Sequence, residues 1–252
     1  MSTPIGQVLT DALIPVAATT AGGIAATIRA PGRRVGSGIA HIAGGVILAA
    51  AVVELLPDAM RGHEPGAVVV GFALAIALML AVKALTRRIA PQEEDGGDAA
   101  TVVDRARATG PWSLIVVAGL DTLIDGVLLG IGFVAGVKQG LLLTLALTIE
   151  TLSLGLVIAV ALQTAGVSRG RIILTMGALS LLFGVGTVAG AVVLGGVSGM
   201  VLTTLFAFGA AVLIYLVTEE LLVEAHEVPE TRAATILFFM GFVALVVIDM
   251  SV

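Results

Sequence analysis

Leu120-Asp121-Thr122-Leu123-Ile124-Asp125-Gly126 places two carboxylates in the middle of an apolar run extending from about Trp112 to Val137. Four residues apart on a helix, Asp121 and Asp125 share one face, about 6 Å from each other along the axis. A second apolar run, Leu141 to Leu162, carries one acid near its middle, Glu150. An ionised carboxylate at bilayer depth costs roughly 2.5–3.5 kcal/mol on insertion scales. No Lys or Arg occupies the middle of either run, so the acids have no basic partner in sequence. Three such groups suit a bound cation or an exchangeable proton, and protonated acids with a purely structural role are the competing reading. His41, seven residues beyond Arg34, stands about 10 Å into its own run. Its imidazole either joins the acids from below or hydrogen-bonds a helix backbone, and the sequence leaves both open. Thr122, Thr151 and Ser153 flank the acids. In membrane helices such hydroxyls usually bond their own backbone, which makes them weak ligands.

The rest of the chain must hold these residues in place. Its 252 residues are 58% hydrophobic and 12% charged, with a mean hydropathy of +1.11. A soluble domain carries about 25% charged residues, so the composition specifies an integral membrane protein. Long continuous runs exclude a barrel of short alternating strands. The absence of cysteine excludes disulfides and thiolate metal ligands. The first apolar run lacks the basic start and cleavage site of a signal peptide and is expected to remain as a helix. Among the 32 glycines, Gly126-x3-Gly130, Gly132-x3-Gly136 and Gly186-x3-Gly190 read as close helix packing.

Eight segments are long enough to span, near residues 8–29, 36–57, 66–89, 111–136, 140–163, 171–194, 198–223 and 232–251. They make one all-α transmembrane domain over residues 1–252. All but Arg61 and Lys138 of the 13 basic residues fall in the connections joining spans 1–2, 3–4, 5–6 and 7–8, or at the adjoining span ends. The positive-inside rule puts that side in the cytoplasm and both termini outside. The one long connection, residues 90–110, is polar and reads as a solvated cytoplasmic linker. Glu54-Leu55-Leu56-Pro57-Asp58-Ala59 in the second span is echoed by Glu220-Leu221-Leu222-Val223-Glu224-Ala225 in the seventh. Those spans run in opposite directions, so the echo fits an inverted repeat of spans 1–3 and 6–8 around spans 4–5, with chance similarity as its competitor.

Acids also mark the ends of the spans. Glu54, Asp58 and Asp249 lie at the outer side, and Glu219, Glu220, Glu224 and His226 at the inner. Charges near helix ends are commonly just interfacial, yet acids at both ends of a midplane acidic site make an entrance and an exit for a cation.

Tyr215-Leu-Val-Thr-Glu-Glu-Leu-Leu-Val-Glu-Ala-His226 resembles the seventh-helix pattern of the ZIP family of divalent-metal transporters. His41 through Pro57 resembles the family's second helix, and the likeness in helix count and loop placement runs over essentially the whole chain. Asp121-Thr122-Leu123-Ile124-Asp125-Gly126 stands where the family has His-Asn-x-x-Asp/Glu-Gly, and Glu150-Thr151-Leu152-Ser153-Leu154-Gly155 where it has His/Gln-Glu/Asp-x-Pro-His/Glu-Gly. The resemblance implies a 3+2+3 inverted-repeat bundle and a homodimer. It also implies a metal site at Asp121, Asp125 and Glu150, with Thr122, Thr151 and Leu154 at further ligand positions. The sixth span lacks the acid that builds a second site in some bacterial members, so one metal site is expected.

The expected function is therefore transport of a divalent cation, Zn²⁺ or Fe²⁺/Mn²⁺, across the cell membrane into the cytoplasm. Carboxylate in place of imidazole hardens the site towards Mn²⁺, Fe²⁺ or Mg²⁺, while Zn²⁺ also accepts carboxylates. The ion would enter past Glu54 and Asp249, bind at Asp121, Asp125 and Glu150 with His41 near by, and leave past Glu220, Glu224 and His226. The metal is substrate; no organic cofactor, nucleic-acid partner or enzymatic reaction is expected. The alternatives are a ZIP-like sensor or scaffold that binds metal without flux, and a proton-coupled transporter of another substrate.

Overall fold

The computed structural model of the chain describes residues 5–89, 111–225 and 231–251. These form eight helices long and apolar enough to cross a membrane: α1 (Ile5–Ile28), α2 (Arg34–Arg61), α3 (Pro65–Arg88), α4 (Pro111–Ala135), α5 (Val137–Thr164), α6 (Arg169–Val193), α7 (Met200–Glu219) and α8 (Arg232–Asp249). All eight expected spans are present, with ends displaced by four residues or fewer. Proline accounts for two of the starts: Pro65 and Pro111 open α3 and α4, where a missing N–H costs nothing. α1 runs through Pro15, whose carbonyl accepts from the Thr19 hydroxyl at 2.9 Å and the Thr151 hydroxyl of α5 at 3.4 Å. The 90–110 connection lies outside the described residues.

The spans sort into two groups by what they pack against. α1 packs on α5 and α6, and α4 on α6 and α5. α2 packs on α8 and α7, and α3 on α7. The groups meet chiefly where α2 crosses α5 and where α4 touches α7. α2 is the most enclosed, with 67% of its apolar window buried, whereas α3 and α8 reach only 17% and form the periphery. Leu74, Ile76 and Leu80 on α3, Leu181 on α6, and Phe239 and Val243 on α8 are exposed. So broad an apolar exterior is the surface of a lipid-embedded bundle.

Glycine sets the closest contacts. Gly126 and Gly130 of α4 lie against Gly186 and Gly190 of α6, so two of the expected glycine pairs meet each other. A Cβ on Gly186 would stand 2.5 Å from Leu123 O, and one on Gly130 2.6 Å from Thr187 O. The third pair does something else: Gly132 receives the Leu143 side chain of α5, and Gly136 forms the turn into α5.

Two π-helical turns interrupt the α geometry, Ala50–Leu55 in α2 and Val217–Leu221 at the end of α7, which continues over Leu222–Ala225. Each ends on the second residue of the echoed hexapeptide, Leu55 and Leu221, 166 positions apart in sequence. Adding that interval to the starts of α1, α2 and α3 reproduces the starts of α6, α7 and α8 to within two residues. In α2, Pro57 lacks an N–H and crowds the carbonyl four residues back, a recognised cause of such a bulge. Val223 holds the equivalent place in α7, so proline is not required there.

Gly186→Val should force α4 and α6 apart and lower the unfolding free energy by about 1–3 kcal/mol. Gly177→Val, on the same helix with nothing within 4 Å of its Cβ position, should be close to neutral; unfolding in detergent or lipid measures both.

Candidate cation site and its two ends

The register of α4 on α5 decides which acids share a level. Gly132 meets Leu143 and Gly140 meets Phe133, so the helices run antiparallel from the Gly136 turn. Continuing that register sets Asp125 level with Glu150, and Asp121 about one turn further along, level with Ser153. The Asp125 residue is fully buried and Glu150 is 3% exposed, while Asp121 is partly exposed. Asp125 and Glu150 thus form a buried two-carboxylate layer on adjoining spans of one group. Gly126 beside Asp125 is the residue pressed on Gly186, so the seam that brings α4 against α6 also fixes Asp125.

Thr122 differs from the other span hydroxyls. Thr19, Thr20, Thr144, Thr148, Thr164, Thr187, Thr204 and Thr218 each donate to the carbonyl four residues earlier. Thr151 is shared between Thr148 O and Pro15 O, each at 3.4 Å. Thr122 is fully buried, and its Oγ1 has no hydrogen-bond partner. An orphaned hydroxyl in the turn that joins Asp121 to Asp125 is a ready oxygen donor, although its residue type alone ranks it as a weak one. Among the described residues no three His, Asp or Glu side chains gather closely enough to hold a metal ion.

His41 is buried, and its Nδ1 lies 2.7 Å from Ser37 O, so an Nδ1–H donates to the preceding turn of its own helix. Its level follows from Gly209 of α7, whose Cβ position lies 3.1 Å from Leu55 and 3.6 Å from Leu128. His41 precedes Leu55 by 14 residues, about 20 Å, whereas Asp121 precedes Leu128 by only 7, about 10 Å. The imidazole therefore sits nearer the arginine-rich end than Asp121 and apart from the Asp125–Glu150 layer.

At the end remote from the arginines, Glu54 lies in the α2 π turn, is 5% exposed, and interacts side chain to side chain with Asp249 of α8. Lys138 of α5 pairs with Asp249 Oδ1 at 2.8 Å, and Gln139 donates to Asp58 Oδ2 at 3.0 Å. Asp58 also pairs with Arg61 one turn along α2. The expected entrance acids are thus brought together, and so is Asp58. At the opposite end Lys83 of α3 pairs with Glu219 at 3.3 Å. Glu220 sits in the α7 π turn and Glu224 in the short helix after it, with His226 outside the described residues.

Asp11, not among the expected site residues, is an acid inside the first span whose Oδ2 is buried without a hydrogen-bond partner. The signal was present: an acid within an apolar run is a functional candidate by default. Lys138 was likewise legible only as a loop charge.

No protein-family model matches the chain, and no curated protein sequence matches it. The resemblance to ZIP transporters stands on the quoted motifs.

Thr122→Val removes an orphaned buried hydroxyl at constant shape and should raise the unfolding free energy by about 1 kcal/mol. Thr187→Val discards the 3.0 Å bond to Phe183 O and should lower it by a similar amount. Unfolding of the two variants side by side checks the contrast.

Proposed function

We propose that the chain is a ZIP-like transporter that carries a divalent metal cation across the cell membrane into the cytoplasm. The observation that carries this reading is the buried Asp125–Glu150 layer, with the orphaned Thr122 hydroxyl beside it and no basic residue in mid-span. Carboxylates buried in the middle of apolar spans favour a role with a cation. All three groups offer hard oxygen donors, which suit Mn²⁺ and Fe²⁺ and are also accepted by Zn²⁺.

The packing supports a route for that substrate. Asp121, Asp125 and Glu150 all sit on α4 and α5, within the group formed with α1 and α6, while α2, α3, α7 and α8 form the other. Displacement of one group past the other would carry the acids between the two sides as a unit, the alternating access expected of an inverted repeat. The common interval between the first three and last three spans, and the paired π turns, support that repeat. Glu54 and Asp249 would form the outer mouth, and Glu220, Glu224 and His226 the cytoplasmic exit, with both termini outside by the distribution of arginine. A homodimer follows from the resemblance.

The lack of three gathered His, Asp or Glu side chains among the described residues favours one second reading. In it the acids relay protons and drive a different substrate.

Reconstituted into proteoliposomes, the protein should take up at least one of Mn²⁺, Fe²⁺, Zn²⁺, Co²⁺ or Cd²⁺. Asp125→Asn and Glu150→Gln should each reduce that flux by at least about tenfold, since even outer-shell changes at metal sites cost ~10–100-fold. Bound metal without flux would favour the sensor, and neither flux nor binding, with proton movement retained, would favour the relay.

A further inference from the structure

Polar contacts cross from one four-helix group to the other at the end remote from the arginines. Lys138 opens α5, the helix that carries Glu150 twelve residues on. Its Nζ lies 2.8 Å from the Asp249 carboxylate and donates at 2.8 Å to the Asp249 main-chain oxygen, the last turn of α8. Gln139 reaches Asp58 of α2 beside it. Glu54, on the π turn of α2, faces Asp249 and lies within electrostatic reach of Lys138. Two facing carboxyls repel unless a positive charge or a proton lies between them; a side-chain hydrogen bond joins Glu54 to Asp249, which takes one proton, and the Lys138 ammonium from the other group pairs with Asp249. Lys138 is 41% exposed and the Asp249 side chain 20%, so this pairing is reachable from water.

We propose that Lys138 is a built-in cation that latches this end of the bundle shut: its ammonium occupies Asp249 beside Glu54, ties α5 to α8 next to the Gln139–Asp58 bond to α2, and is displaced by an entering divalent cation. The choice of a divalent cation rests on the transport reading above; the latch itself rests on geometry alone. Because α5 also bears Glu150, releasing its first turn frees the helix that carries the buried acid. The same carboxylates would then attract the substrate and, through Lys138, stay closed in its absence. Charge rather than packing is the operative property, since the ammonium bonds two oxygens of one residue on the opposite group.

The chain has no cysteine, so labels can be placed cleanly. Met60→Cys on α2 and Val193→Cys on α6, both exposed and one in each group, carry spin labels in the full-length protein in lipid nanodiscs. Distances between them are read by pulsed electron resonance. Lys138→Met and Asp249→Asn should each raise the ratio of long- to short-distance populations by roughly three- to tenfold, the scale of losing a partly exposed ion pair and its hydrogen bond. Lys138→Arg, which keeps the charge, should hold the short distance. Mn²⁺ should lengthen the distance in the otherwise unaltered protein and have no effect in Glu54→Gln/Asp249→Asn. An unchanged distribution in Lys138→Met, or an equal shift in Lys138→Arg, overturns the latch. Mn²⁺ without effect on the otherwise unaltered protein overturns the displacement. None of these readouts needs flux, so a latch that responds in a protein without metal uptake would refute the transport reading alone.

Discussion

A carboxylate in a bundle with an apolar exterior is tolerable only where protein, and not lipid, surrounds it, and the arrangement of α4, α5 and α6 follows from that constraint. Asp125 is fully enclosed because its neighbour Gly126 lets α4 approach α6 backbone to backbone. Gly155 does the same for Glu150's helix: its Cβ position lies 2.5 Å from Thr19 O of α1. Small residues are the means by which helices without a hydrophobic driving force between them gain contact in a membrane. The glycine seams therefore do more than tighten the fold. They place acids where water and lipid are both excluded, leaving a cation, a proton or an oriented polar group as the compensation.

The acids are carried by one group of helices. Contacts within α1, α4, α5 and α6, and within α2, α3, α7 and α8, are extensive, while those between the groups concentrate at the α2–α5 crossing and the α4–α7 touch. At one end the groups are joined by charge, through Lys138, Asp249, Gln139 and Asp58. Ion pairs and hydrogen bonds in a partly wet setting are individually weak, so such a joint can open and close with solvent as exchange partner. The π turns of α2 and α7 sit where acidic residues cluster on those helices, Glu54 in one and Glu219 and Glu220 in the other. A π turn rotates and frees backbone groups that an α-helix would keep paired.

Much of this was legible in the chain. Hydropathy is a local property, and all eight spans emerged from it within four residues at their ends. The acids of α4 and α5 stood out because a charge in an apolar run is expensive wherever the helices go. The Glu54–Ala59 echo in Glu220–Ala225 pointed to positions that the structure marks with π turns. Even the glycine pairs were visible as small-residue stripes, although which stripe met which was not.

What the sequence determined by itself is the number of long apolar spans, the place of the acids within them and the connections in which basic residues collect, because each depends on residues near one another in the chain; the echo is also read from the sequence, by comparing two short stretches. Only the tertiary structure decided the rest. Thr122 and Thr187 are the same residue in comparable apolar runs, yet one is orphaned beside the acids and the other bonds Phe183 O; rotamer and neighbouring helix make that choice. His41 bonds Ser37 O near the arginine end and stands apart from the acidic layer, a matter of register between α2, α7 and α4. Lys138 meets Asp249 across 111 residues of chain. No local pattern encodes a contact that forms only when two helix ends, belonging to different packed groups, arrive at the same place.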